Sequence, residues 1–306
     1  MKIIKILQNH GLLILGLVLL AFLLFVTFIG PYLPIIDDSL EETVFIRDEE
    51  GTPIPPPFEP NTQDYILGSD HEGRDLLSLI VMGAKETLFI IVAITIIRYV
   101  MAIPLGYLAH KRFLGTHHIL KWLNGFLSYV PTIIMVALLA TLPPILFSDY
   151  RIYALVFLIA FVEVGRAGES IKVDLDEAAS QEFIESGVVA GAKPFRIFRK
   201  YLWPFIYGKL IVYAITDIGK VMFLIGQLAF VGIFISQALI QVDAGVFEIR
   251  NDSISWPMLF LDAFRDLRMS IWIPFWSAFA MAFTILTFNI LSQGVQNIFK
   301  RKDSHI

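Results

Sequence analysis

The 306-residue sequence contains no cysteine, which excludes disulfides, thiolate metal sites and thiol chemistry. Charge is also scarce: 17% of residues are Asp, Glu, Lys or Arg, where a soluble domain carries about a quarter. Internal repeats and low-complexity tails are absent, and so are the short alternating strands of a transmembrane barrel. What remains is apolar. Hydrophobic residues make up 56% of the chain and the mean hydropathy is +0.69. They come in runs of about twenty, enough to cross a hydrocarbon core of about 30 Å as helix. The fold class is therefore all-α, a polytopic protein embedded in a lipid bilayer. The net charge of -4 says less than its distribution.

Six spans can be read, at about Gly11–Leu33, Leu88–Leu108, Ile119–Leu142, Ile152–Val164, Phe205–Ile235 and Ile271–Ile298. Lys2 and Lys5 precede the first, as in a signal peptide, but the run is too long and no small-residue cleavage site follows, so it reads as a retained anchor. Between the first two spans, Asp37 to Asp75 holds twelve acidic residues against two basic ones, Arg47 and Arg74. Lys2, Lys5, Lys111, Arg112, Lys121, Lys193, Arg196, Arg199, Lys200, Lys300, Arg301 and Lys302 fall on the other side, which the positive-inside rule assigns to the cytoplasm. With six spans both termini are then cytoplasmic. The chain divides into residues 1–33, the N-terminal tail and first span; 34–87, an external acidic and proline-rich segment; 88–299, the membrane core with a cytoplasmic loop at about 166–204; and 300–306, a basic cytoplasmic tail. In the external segment "GTPIPPPFEP" reads as an extended connector. After it, Ser69 or Asp70 is placed to cap a short helix lying near the outer membrane surface before span two.

The cytoplasmic loop poses a choice of frame. A helix–turn–helix on that face needs a turn residue that tolerates a left-handed backbone, for which glycine is suited. "EAA" stands at Glu177 to Ala179, but counting on from it puts Phe183 where the glycine belongs. Counting from Glu185, Ser186 and Gly187 puts Gly191 there. Pro194 then falls in a first helical turn, and nine residues after Gly191 comes Tyr201-Leu-Trp203-Pro204, where proline breaks the second helix as span five starts. The frame begins at Glu185.

This frame resembles the cytoplasmic loop of permease subunits of bacterial binding-protein-dependent ABC importers, whose signature is EAA, three residues, Gly, nine residues, then I-x-L-P. Glu, Gly and Pro match at full spacing; Ser186 and Gly187 replace the two alanines, and Tyr201 and Trp203 replace Ile and Leu. "LGSDHEGRDLLSLIVMGAKETL" is similar to the external segment of the dipeptide/oligopeptide/nickel branch, C-type permease. It matches at Leu67, Gly68, Asp70, Gly73, Arg74, Asp75, Ser78, Gly83 and Ala84. Fainter similarity runs through "LSYVPTIIMVALLA", "TDIGK", "SWPMLFLDA" and "FTILTFNILSQGVQNIF".

The resemblance implies a six-span, type I permease-like fold in the bacterial plasma membrane. It implies a second homologous permease as partner, two ATP-binding subunits and an extracellular solute-binding protein, with no nucleic acid involved. Gly-x-x-x-x-Gly-Lys-Ser/Thr does not occur in the chain, so ATP and Mg belong to the partner subunits and no cofactor to this one. The cytoplasmic loop would be the coupling helix, with Glu185, Ser186, Gly187, Gly191, Phe195, Arg196, Arg199 and Pro204 as ATPase-coupling residues. Phe183, Ile184, Phe195 and Phe198 would fill a groove, and Glu185, Arg196 and Arg199 would make contacts at its rim. The bland reading of the same loop is an interfacial segment whose basic residues meet anionic lipid.

Ionisable residues inside spans are informative because each costs about 2.5–3.5 kcal/mol at mid-bilayer on insertion scales. Arg98 lies near the middle of span two. Asp217 and Lys220 lie in span five at a spacing that shares a helix face, and Gln227 is placed with them. They either line a translocation path or form a local Asp217–Lys220 pair, with Arg98 packed on a carbonyl or a partner. The riskiest expectation sets Arg98 toward the pathway or the subunit interface, near Asp217. Asp217 and Gly219 match the family's "DLG"; Lys220 and Arg98 match nothing in it, and Ile225 stands where the branch has a glutamate. His110, His117 and His118 sit in the loop between spans two and three at no common metal spacing, and read as solvated. Peptide uptake by alternating access is the leading reading, with nickel or a metal chelate as the other cargo. A non-transporting scaffold subunit and an intramembrane enzyme are the rivals. The enzyme needs facing catalytic groups within spans, whereas all six histidines lie at termini or in loops.

Overall fold

Lipid offers backbone polar groups no partner, so the apolar runs become helices. The computed structural model describes residues 2–47, 51–62, 65–148, 150–182, 184, 187, 191–235, 237–243, 246–251 and 253–303. Helix α1 (Lys2–Phe28) leaves helical geometry at His10, and the membrane-length stretch is His10–Phe28. Helix α2 (Leu76–His110) follows, then α3 (Thr116–Tyr129), α4 (Thr132–Ala140), α5 (Pro143–Leu146), α6 (Arg151–Val162), α7 (Val164–Ala179), α8 (Pro194–Ile197), α9 (Trp203–Phe230), α10 (Ala263–Met269) and α11 (Trp272–Asp303). Among the described residues, four stretches are long and apolar enough to cross a membrane unaided: His10–Phe28, Leu76–His110, Phe198–Phe230 and Trp272–Lys300.

The third expected span is built from two pieces, and the fourth coincides with α6. Pro131 has no N–H and forces Val130 into extended geometry (φ -110°, ψ 122°), which separates α3 from α4. Glu163 (φ -93°, ψ 0°) separates α6 from α7. The expected surface helix before span two is not separate. Its residues are the first turns of α2, whose 35 residues reach about 52 Å. Its cap is Asp75, which accepts from the Ser78 amide at 2.8 Å, and not Ser69 or Asp70.

Helices α9 and α11, α1 and α11, and α2 and α7 pack along much of their lengths. Glycine makes the second of these possible. A Cβ on Gly16 would stand 2.6 Å from the Leu291 Cα, and one on Gly294 would stand 2.5 Å from the Leu13 Cα, so the two backbones touch. Two apolar cores result. The larger gathers Ile91, Ile94, Ile159, Val221, Met222 and Leu228. The smaller gathers Ile171, Leu175, Ala178, Ile184, Ile197, Leu202 and Ile206. Outward-facing Phe22, Phe89, Val100, Phe275 and Phe279 are exposed, as a lipid-facing surface requires. Two small antiparallel sheets complete the chain: β1 (Ile46–Arg47) with β2 (Pro53–Ile54), and the hairpin β3 (Gln237–Asp243) with β4 (Val246–Asn251), where Gln237 pairs Asn251.

Candidate functional site

Inside this apolar bundle lies a cavity of about 660 Å³ walled by α2, α4, the α6–α7 junction, α9 and α11. Its deepest polar feature is an ion pair. Arg98 on α2 donates from Nη1 to Asp217 Oδ2 on α9 at 2.6 Å, and the two residues are 2% and 8% exposed. Arg98 also donates from Nη2 to the Ile159 carbonyl at 2.9 Å and from Nε to the Ala160 carbonyl at 3.4 Å. These carbonyls belong to the last turn of α6, where a helix leaves acceptors without intrahelical donors. A cation is favoured there by the helix dipole as well. The break at Glu163 and the buried arginine therefore answer each other, and one side chain ties α2, α6 and α9 together. Asp217 is paired with Arg98, and no ion pair joins it to Lys220.

A second polar knot sits at the α6–α7 junction. Arg166 Nη1 lies 3.1 Å from each Glu163 carboxylate oxygen, and the Thr132 hydroxyl at the start of α4 also donates to Glu163. Lys220 and Gln227 on α9 line the same cavity, as do Asn289, Gln293 and Gln296 on α11. Among the described residues, Lys220 has neither a hydrogen bond nor an ion pair. Sequence reasoning missed Glu163, Arg166, Thr132 and the α11 amides. The signal for the amides was present, since 289, 293 and 296 recur at helical spacing within an apolar run.

The external motif residues form a loop that starts α2. Asp70 Oδ1 accepts from the amides of Glu72 and Arg74 at 3.0 and 2.9 Å, and Asp70 Oδ2 pairs with the Arg74 guanidinium at 2.6 Å. Gly73 takes φ +76° with the Thr43 carbonyl oxygen 2.1 Å from where a Cβ would be. Gly68 takes φ +85° against the Trp272 indole and the Phe58 carbonyl. His71 Nε2 lies 2.7 Å from Asp266 Oδ1. Burial raises the Asp266 carboxyl above the usual carboxylate range, against the opposing pull of His71. These residues shape the loop before α2 and do not line the cavity.

In the expected coupling loop, Glu185, Ser186 and Phe183 lie outside the described residues. Gly187 is helical, Gly191 takes φ +78°, and the Ala192 amide donates to the Gly187 carbonyl at 3.1 Å. That six-residue bond across a left-handed glycine closes a helix C-terminus. Pro194 opens α8, which includes Phe195. Arg196 and Arg199 are exposed. A π-helical turn, Phe198–Leu202, then runs straight into α9. Pro204 therefore does not break the helix as expected: it lies directly after the π-helical turn, and the helix continues through it into α9. Ile184 is 4% exposed and packed in the chain's own smaller core, and the Phe198 ring lies 4.5 Å from that of Tyr107. Neither points outward to fill a partner's groove. Glu177, in the rejected frame, binds Lys209 at 2.9 Å beside Asp174, which binds the same lysine at 2.8 Å. His110 is not a solvated loop residue: its ring contacts Asp176 at 2.6 Å.

No protein-family model matches the chain. Curated relatives do. The chain is 24% identical over 246 residues to the oligopeptide transport system permease protein OppC of Haemophilus influenzae, covering 78% of this chain and 71% of that protein. It is 25% identical over 298 residues to the dipeptide transport system permease protein DppC of Bacillus subtilis, covering 95% and 82%. It is 23% identical over 283 residues to the di/tripeptide transport system permease protein DppC of Pseudomonas aeruginosa, covering 92% and 85%. These relatives are C-type permeases of peptide transport systems, the branch that the motifs resemble, and they are transport subunits, not enzymes. The chain is a multi-pass membrane protein of the same all-α kind.

Proposed function

We propose that this chain is one permease half of an ATP-driven bacterial importer for short peptides. It works with a second permease, two ATP-binding subunits and an external binding protein. The observation that carries the reading is the polar cavity of about 660 Å³ inside an apolar bundle. A buried charge pair and a row of amides are costly in lipid, and a water-filled route for a polar cargo accounts for them. A scaffold without a path gives no reason to keep them. For an intramembrane enzyme the cavity wall offers no histidine among the described residues.

In this reading the protein spans the membrane six times, with α3–α4 and α6–α7 as composite spans and both termini inside. The segment from Gln181 to Pro204 docks on an ATP-binding subunit. Its exposed face is basic at Arg196, Arg199 and Lys200, while its apolar residues root it in the smaller core. A push on this segment is thereby delivered to α2, α7 and α9, and alternating access follows from movement of these helices against the partner permease.

The test is uptake in cells lacking the chain, restored with the wild type or with Arg98→Leu. Labelled tri-alanine should enter with the wild type and not with the variant, at equal amounts of protein in the membrane. Restored uptake of a nickel chelate but of no peptide overturns the cargo. Loss of ATP-subunit assembly with no change in any uptake favours the scaffold.

A further inference from the structure

We propose that Lys220 holds the C-terminal carboxylate of the cargo, in a site sized for about three residues of extended peptide. The inference rests on the reading of the cavity as a peptide route. Five side chains on the described cavity wall are charged at neutral pH: Arg98, Glu163, Arg166, Asp217 and Lys220. Four of them answer one another. Arg98 is bound to Asp217 and to two carbonyls, and Arg166 lies against both oxygens of Glu163. Lys220 is left over, an exposed side chain on the cavity wall with no ion pair or hydrogen bond among the described residues. An ammonium group without a partner in the chain offers an anion a charge-assisted hydrogen bond, so the chemistry it recognises is a carboxylate.

The groups around it fit the rest of a peptide. Asn289, Gln293 and Gln296 fall on one face of α11, and Gln227 lies two turns from Lys220 on the same face of α9. Each amide offers donors and an acceptor, and none has a hydrogen bond within the described chain. Such groups match peptide N–H and C=O whatever the cargo's side chains are. Lys220 and Gln227 are separated by about 10 Å along the helix, the length of about three extended residues.

The test is equilibrium binding of tri-alanine and tri-alanine amide to the assembled transporter in nanodiscs, which removes selection by the binding protein. The wild type should bind the free acid at least fivefold more tightly than the amide. Lys220→Arg should keep that preference, and Lys220→Gln should bind both forms equally, at the weaker value. A wild type that binds the two forms alike, or a Lys220→Gln variant that keeps the preference, overturns the inference and leaves peptide transport standing. Failure of the wild type to bind either form overturns the peptide reading together with it. Retention of the complex on purification checks that each variant is folded.

Discussion

Replacing Arg98 with leucine should do more damage than replacing both members of its pair. Asp217 is 8% exposed, and its Oδ2 takes a 2.6 Å bond from Arg98. With Leu at 98 that carboxylate stays buried with no donor. Removing one partner of a buried pair costs about 3–5 kcal/mol, which is two to three and a half powers of ten in the folding equilibrium. Asp217→Leu leaves Arg98 its two carbonyls on α6, and its cost should fall at the lower end of that range. The double variant has no buried charge to strand. It loses only the cap on α6, about 1.5–3 kcal/mol for bonds to a charged donor. The single losses should therefore exceed the double loss by about 3 kcal/mol or more. Unfolding by sodium dodecyl sulfate in mixed micelles, followed by the fluorescence of the five tryptophans, measures all four corners of the cycle. Single losses that add to the double within about 0.5 kcal/mol would mean independent sites and would refute the pairing.

The Gly191 position is open to a larger side chain but left-handed, at φ +78°, so Gly191→Val should cost about 1–2 kcal/mol in backbone energy and weaken co-purification with the ATP-binding subunits. Glu177→Ala should leave co-purification nearly unchanged, and the reverse pattern would show that the frame starts at Glu177. Gly73→Ala should lower the amount of protein in the membrane sharply, because its Cβ would meet the Thr43 carbonyl oxygen at 2.1 Å; wild-type levels on a membrane immunoblot would contradict the tight loop. A cysteine introduced at Thr52 should react with an impermeant thiol reagent on intact cells and one at Ser304 should not; the opposite labelling would invert the topology.

The long spans could be read because twenty apolar residues admit one solution in lipid. The broken ones were harder. Pro131 announces its break in the sequence, but Glu163 breaks a helix that its residue type would continue, and the reason lies on α2, where Arg98 takes the α6 carbonyls. Asp75 displaced Ser69 and Asp70 as the cap for a similar reason. Asp70 is occupied by Arg74, and the Ser69 hydroxyl accepts from the Phe58 amide, both contacts of the folded loop. The Arg98–Asp217 contact was accessible because two opposite charges in lipid have few other partners. The neutral amides of α11 gave no such warning, since their cost is modest and their neighbours are apolar. The hairpin Gln237–Asn251 falls between the fifth and sixth expected spans, where the sequence reading placed no element.

The glycine seats at Gly16 and Gly294 bear on how the protein is made. Helix α1 leaves the ribosome early and α11 emerges last of the described helices, yet each backbone is shaped to rest on the other. During synthesis the first helix must wait in the bilayer with its groove filled by acyl chains. The contact closes only when α11 arrives and displaces that lipid, so the seat built into an early helix is filled by a late one.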